Sequence, residues 1–103
     1  GAPQLFVLPL GEQLTAVAFE LATSLRRQGF FVELGNGTKS LKAQLKSAHK
    51  SGAALTVIIG EDEWQAQQVT VKIMGDGSQK RIAAAELQKE IASLISPLGK
   101  KYQ

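Results

Sequence analysis

The chain has no cysteine and only one histidine, one tryptophan and one methionine in 103 residues. Without cysteine there is no disulfide framework, no thiolate metal site and no thiol nucleophile. With His49 alone, a histidine-rich metal site is excluded as well, and the residue sits among lysines where an exposed, non-catalytic side chain is expected. No apolar run approaches the roughly 18–20 residues of a membrane-spanning helix. Nor is there a basic-then-apolar leader of the secretory kind, so the expected compartment is the cytoplasm and no membrane partner is expected. No Gly-x-Ser-x-Gly elbow is present to raise a nucleophilic serine. Gly37-Thr38-Lys39-Ser40 lacks the contiguous Gly-Lys-Ser/Thr and the four-residue glycine spacing of a nucleotide-triphosphate loop, and reads as a turn before a helix. Twelve Lys plus Arg against nine Asp plus Glu make the chain mildly basic, which permits a nucleic-acid partner without demanding one.

What is present is the pattern of one α/β domain. Leu5-Phe6-Val7-Leu8, between Pro3 and Pro9, is a short apolar run that predicts a buried strand. From Gln13 to Gln28 apolar residues recur at helical spacing (Leu14, Ala18, Leu21, Leu25), and Arg26, Arg27 and Gly29 supply a helix end. Phe30 to Leu34 reads as a second strand, so the pair with its crossover helix predicts a right-handed βαβ unit. A second helix follows Gly35-Asn36-Gly37-Thr38, with Leu41, Leu45 and Ala48 expected inward and Lys39, Lys42 and Lys46 on the opposite stripe. Ser51-Gly52 ends it, and Ala54 to Ile59 is apolar enough for a central strand covered on both faces.

After the acidic turn Glu61-Asp62-Glu63 the period changes to two. Val69, Val71 and Ile73 alternate with Thr70, Lys72 and Met74, Gly75 to Ser78 reads as a hairpin turn, and Gln79 to Ile82 as its return strand. A last helix from Ala84 places Leu87, Ile91, Leu94 and Ile95 inward and stops at Pro97. The expected fold is a three-layer α/β/α domain: a five-stranded mixed sheet, βαβαβ plus an antiparallel β-hairpin, with three helices. Residues 1–4 are expected as a linker, with Gly1 a scar of tag removal, residues 5–96 as the domain, and 97–103 as a frayed tail.

The lysine stripe has two readings: the solvated side of an amphipathic helix, or a cationic strip for RNA. The three carboxylates of 61–63 more often cap the next helical turn than hold a metal, and Trp64 either closes the core or stacks on an unpaired base.

Lys39-Ser40-Leu41-Lys42-x-Gln44-Leu45-Lys46, Val57-Ile58-Ile59-Gly60-Glu61-Asp62-Glu63 and Val69-Thr70-Val71-Lys72 together carry a resemblance. With Val7 to Gly11 and Val32 to Leu34 they look like the C-terminal anticodon-binding domain of histidyl-tRNA synthetase, over nearly the whole chain. The sister domains of the threonyl-, prolyl- and glycyl-tRNA synthetases share the fold. The chain departs from that family's usual pattern at His49, at Trp64 to Gln68 and at Ile73-Met74.

The resemblance implies a transfer RNA partner, that of histidine, and a parent class II aminoacyl-tRNA synthetase acting as a homodimer. ATP and magnesium would serve the parent's catalytic domain and no cofactor this one; the isolated domain is expected as a monomer. It also implies roles: Glu63, with Glu61 and Trp64 beside it, facing unstacked bases; Lys72 donating to base or phosphate; Lys39, Ser40, Lys42 and Lys46 holding backbone phosphates. Two functional classes stay open, an RNA-binding appendage of a catalytic domain and a divergent paralogue's interaction module.

Overall fold

The computed structural model describes residues 1–98, so residues 99–103 of the expected tail lie outside the described residues. Five strands form one sheet in the order β2-β1-β3-β4-β5. They are β1 (Leu5–Pro9), β2 (Val32–Leu34), β3 (Leu55–Ile59), β4 (Gln68–Ile73) and β5 (Gln79–Ala83). The helices are α1 (Thr15–Arg27), α2 (Leu41–Ser51), the short α3 (Glu61–Gln65) and α4 (Leu87–Leu94). β1 pairs in parallel with β2 and β3, whereas β3–β4 and β4–β5 are antiparallel. The mixed α/β sheet expected from the sequence is therefore the observed one, with the acidic turn drawn into one additional helical turn, α3.

Alternation along the strands divides the core into two clusters. Leu5, Val7, Leu55, Val57, Ile59, Val69 and Val71 face one side, where Leu14, Ala18, Ala22 and Leu25 of the α1 region and Leu87 and Ile91 of α4 cover them. Phe6 and Leu8 face the other side and meet Ala48 and Ala53, with Leu45 and Met74 packed against them. One face thus carries two helices and the other only α2. β1 and β3 are buried along their whole length because both of their faces are covered.

Two inward assignments are corrected. Leu41 is 40% exposed, and Gln44, at 2%, takes the inward position beside Ala48. Gln44 Nε2 donates to Pro9 O at 2.7 Å and Lys39 O at 3.0 Å, so the helix turns a polar side chain inward to tie two loops together. Leu94 is also exposed at 40%, because α4 ends there and Ile95 packs against the core instead. The chain ends are anchored where they are described: Gln4 Nε2 donates to Ser96 O at 2.7 Å, and Leu98 N to Gly29 O at 3.0 Å.

The β4–β5 turn is set by Asp76, whose Oδ1 accepts from Ser78 N at 2.8 Å and from the Ser78 hydroxyl at 2.7 Å. The Ser78 hydroxyl, then its amide, hold the Asp76 carboxyl below the ordinary carboxylate value. The stability this gives the turn is complete at neutral pH and fades as pH falls through that lowered value. A register with Lys72 opposite Gln79 follows from this turn, and it fixes which β5 side chains share a face with Lys72.

Candidate nucleic-acid interface

The three parallel strands end at one edge of the sheet, and the loops leaving them assemble a polar rim there. The β1 exit contributes Leu10 and Gly11, the β2 exit Gly35 to Lys39, and the β3 exit Gly60 and Glu61. Two contacts hold the rim closed. Leu10 N donates to Ile59 O at 2.9 Å, and Gly35 N to Val7 O at 2.7 Å. Clefts at the carboxyl ends of parallel strands are where open α/β sheets bind their ligands.

At the start of α2, Ser40 is the N-cap and its hydroxyl accepts from Ala43 N at 3.1 Å. Just upstream, Asn36 Oδ1 accepts from Thr38 N at 2.9 Å and from the Thr38 hydroxyl at 2.7 Å, which folds the loop back on itself. The cation side chain of Lys39 stands over this corner, on the wall of a cleft of about 350 Å³ lined also by Phe6, Leu34, Gly35, Asn36 and Gln44. The Ser40 hydroxyl oxygen caps the helix, and among the described residues its O–H donates to no acceptor, so the cap and a phosphate contact through the O–H are compatible. Lys42 and Lys46 lie two residues either side of Gln44, which at about 100° per residue puts them on the side of α2 away from the sheet. They crown the ridge beside the sheet rather than line its floor. Among the described residues none of Lys39, Lys42 and Lys46 is in an ion pair.

The acidic corner follows β3 directly. Gly60 is the N-cap of α3, and Glu61, Asp62 and Glu63 fill its first turn, where negative charge is favoured by the helix dipole. Glu61 and Asp62 are exposed, while Glu63 is half-buried. Its carboxylate folds back over Gly60, where any Cβ would collide with Glu63 Oε1. Among the described residues no group of three or more potential ligands is placed to hold a metal ion. Trp64 packs against the main core cluster, on the side of the sheet covered by α1 and α4. That contact fits the core-closing reading of the residue, and with the indole half-buried part of it stays exposed at this corner.

Among the described residues no helix covers the face beyond α2 over β4 and β5. Thr70, Lys72, Gln79 and Arg81 share it, with Thr70 opposite Arg81 and Lys72 opposite Gln79. Thr70 and Lys72 are partly exposed and Gln79 and Arg81 fully so. Arg81 Nη2 lies 3.9 Å from Glu63 Oε2, so the carboxylate corner and the basic sheet face adjoin. Lys72 is one pleat further along, about 7 Å from Thr70 by strand geometry. The structure brings Glu63 to Arg81, which shares a sheet face with Lys72, while Trp64 packs against the core. Sequence reading passed over Arg81; the signal was the hairpin register, which once fixed at Gly75 to Ser78 forces residue 81 onto the Lys72 face.

Comparisons with known proteins bear on the family and the fold. The family model of the anticodon binding domain matches residues 4–94. A histidine–tRNA ligase of Thermoanaerobacter sp. (strain X514) is 39% identical over 90 residues, covering 87% of this chain and 22% of that protein. The crystal structure of histidyl-tRNA synthetase from Nostoc sp. PCC 7120 has a TM-score of 0.84 at 29% identity, over 92% of this chain and 22% of that one. The RNA binding domain of threonyl-tRNA synthetase from Cryptosporidium parvum Iowa II shares the fold, with a TM-score of 0.79 at 21% identity over 88% of this chain and 23% of that one. The chain spans about a fifth of the length of the histidine–tRNA ligases it matches. No described helix is long and apolar enough to cross a membrane. A five-stranded mixed sheet and a family match over residues 4–94 place this chain in the anticodon binding domain family.

Proposed function

We propose that this domain binds the anticodon arm of a transfer RNA, that of histidine, and positions it for aminoacylation. The catalytic domain lies N-terminal to it in a longer, cytoplasmic and homodimeric histidyl-tRNA synthetase or synthetase-like protein. The observation that carries the reading is the joining of a carboxylate, Glu63, to the open sheet face that holds Lys72 and Arg81. A wholly basic surface would hold any phosphate chain. A carboxylate within it repels the backbone and rewards only a base that presents a donor in the right place, which is how sequence is read apart from backbone contact. Lys39 at the start of α2, with Lys42 and Lys46 along its ridge, supplies the sequence-independent part. Glu61, exposed on the same turn, adds to the negative corner and is in no ion pair among the described residues.

The test compares RNA hairpins with the histidine anticodon and with a scrambled one. Glu63→Ala should lose about 1–3 kcal/mol on the histidine hairpin, the magnitude of one base-edge contact, and little on the scrambled one. Equal loss on both would assign Glu63 to the scaffold and remove the readout role. Melting curves of the variant separate misfolding from lost contact, since Glu63 is half-buried and its ion pair is long.

A further inference from the structure

Arg81 has no role in the reading above beyond its place on the open face. Its side chain is 58% exposed and that of Glu63 26%, and Arg81 Nη2 lies 3.9 Å from Glu63 Oε2. Hydrogen bonds between nitrogen and oxygen run about 2.7–3.2 Å, so the two groups are held together by charge while their donors and acceptors stay available. A carboxylate offers two acceptor oxygens side by side, and a guanidinium offers a planar fork of donors. Guanine is the nucleobase whose pairing edge presents two adjacent donors, N1–H and N2–H, next to a carbonyl, O6. Adenine and cytosine set a single amino group beside a ring acceptor, and uracil sets one imino N–H between two carbonyls.

We propose that Glu63 and Arg81 form a clasp for an unstacked guanine, Glu63 accepting from N1–H and N2–H and Arg81 donating to O6, which makes Arg81 a specificity-determining residue. This rests on the RNA-binding reading above and names the base that the carboxylate corner takes. Lys72, one pleat away on the same face, is placed to reach the phosphate that follows. The α2 lysines, on the far side of their helix from Gln44, serve the backbone at a distance from the clasp.

Substituting each loop guanosine of a histidine anticodon hairpin by 6-thioguanosine tests the Arg81 arm, because sulfur is a weak acceptor while both N–H donors remain. Inosine, which lacks the N2 amino group, tests the Glu63 arm. At one guanosine the unaltered protein should lose about tenfold in affinity with either analogue. In Arg81→Gln, whose neutral amide sits on a side chain too short to reach O6 from this exposed strand position, the thio penalty should vanish while the inosine penalty persists. Arg81→Lys keeps the charge and a donor for O6, so it should retain part of the thio penalty with an unchanged salt slope. A thio penalty equal in the unaltered protein and Arg81→Gln, or absent from the unaltered protein, overturns the clasp. So does an Arg81→Gln salt slope reduced by about 0.7 with the thio penalty retained, the mark of a phosphate contact. Failure of the unaltered protein to bind any hairpin is a separate result, which overturns the RNA reading and takes the clasp with it.

Discussion

Raising monovalent salt from about 50 to about 200 mM should weaken hairpin binding by this domain about fiftyfold. The figure follows if about four phosphates are neutralised, each contributing a slope of about −0.7 in a plot of log affinity against log salt for single-stranded RNA. Lys39, Lys42 and Lys46 are exposed and in no ion pair among the described residues, so their charge is available to a phosphate chain without first breaking a contact. Changing all three to glutamine should reduce the slope by about 2 and reduce binding of cognate and scrambled hairpins alike. Lys42 and Lys46 are exposed on a helix held by Gln44 and Ala48 and Lys39 is exposed in the loop before it, so the melting temperature should stay close to that of the parent. A triple variant that keeps its salt slope would move the phosphate track off α2. An affinity that is flat in salt would point to the interaction-module reading, in which apolar surface rather than phosphate makes the contact.

Gln44→Leu should lower stability by about 2 kcal/mol, the size expected when two hydrogen bonds are removed and the carbonyls they served are left to fend with loop geometry alone. The Gln44 amide spends both N–H groups on carbonyls, of Pro9 and Lys39, which fixes its orientation: a flipped amide would set oxygen against oxygen. Its Oε1 is buried with no hydrogen-bond partner among the described residues, and a Cβ at Gly35 would collide with it. Leucine relieves that unpartnered oxygen, which keeps the net loss to the lower part of the range for buried polar deletions. For a domain of this length the melting temperature should fall by about 10 °C. The same change loosens the loop that carries Lys39, so hairpin affinity should fall with it. A melting temperature within about 2 °C of the parent would show that the two bonds contribute nothing net.

Gln44 also shows where sequence reading stops. Hydropathy at helical spacing gave α2 an apolar stripe of Leu41, Leu45 and Ala48, and the true inward axis runs through Gln44 and Ala48 instead. A glutamine turns inward only when carbonyls wait for it, and those belong to loops whose positions depend on strands far off in the chain. The strands themselves were legible: continuous apolar runs at Leu5 to Leu8 and Ala54 to Ile59 became the two doubly covered strands, and the period-two run at 69–74 became β4. Helix α3 was read as a turn because five residues are too few for a periodic signal, although three carboxylates at its start already favoured a helix N-terminus. Of the site, Glu63 and Lys72 were placed together by family resemblance. Arg81 was readable only through hairpin register, since a face is assigned by pairing and not by composition. Trp64 was weighed both ways because an aromatic beside a turn has the same composition whether it seals a core or waits for a base.

The central claim is that the uncovered face of β4 and β5, with the acidic corner at its edge, is where RNA sits. Amide chemical-shift mapping of the labelled domain during titration with a histidine anticodon hairpin tests it most directly. Shifts should concentrate at Glu63, Thr70, Lys72, Gln79 and Arg81 and at the Lys39–Ser40 corner, and spare α1 and α4 on the opposite face. Shifts centred on α1 and α4, with the open face of β4 and β5 silent, would contradict it.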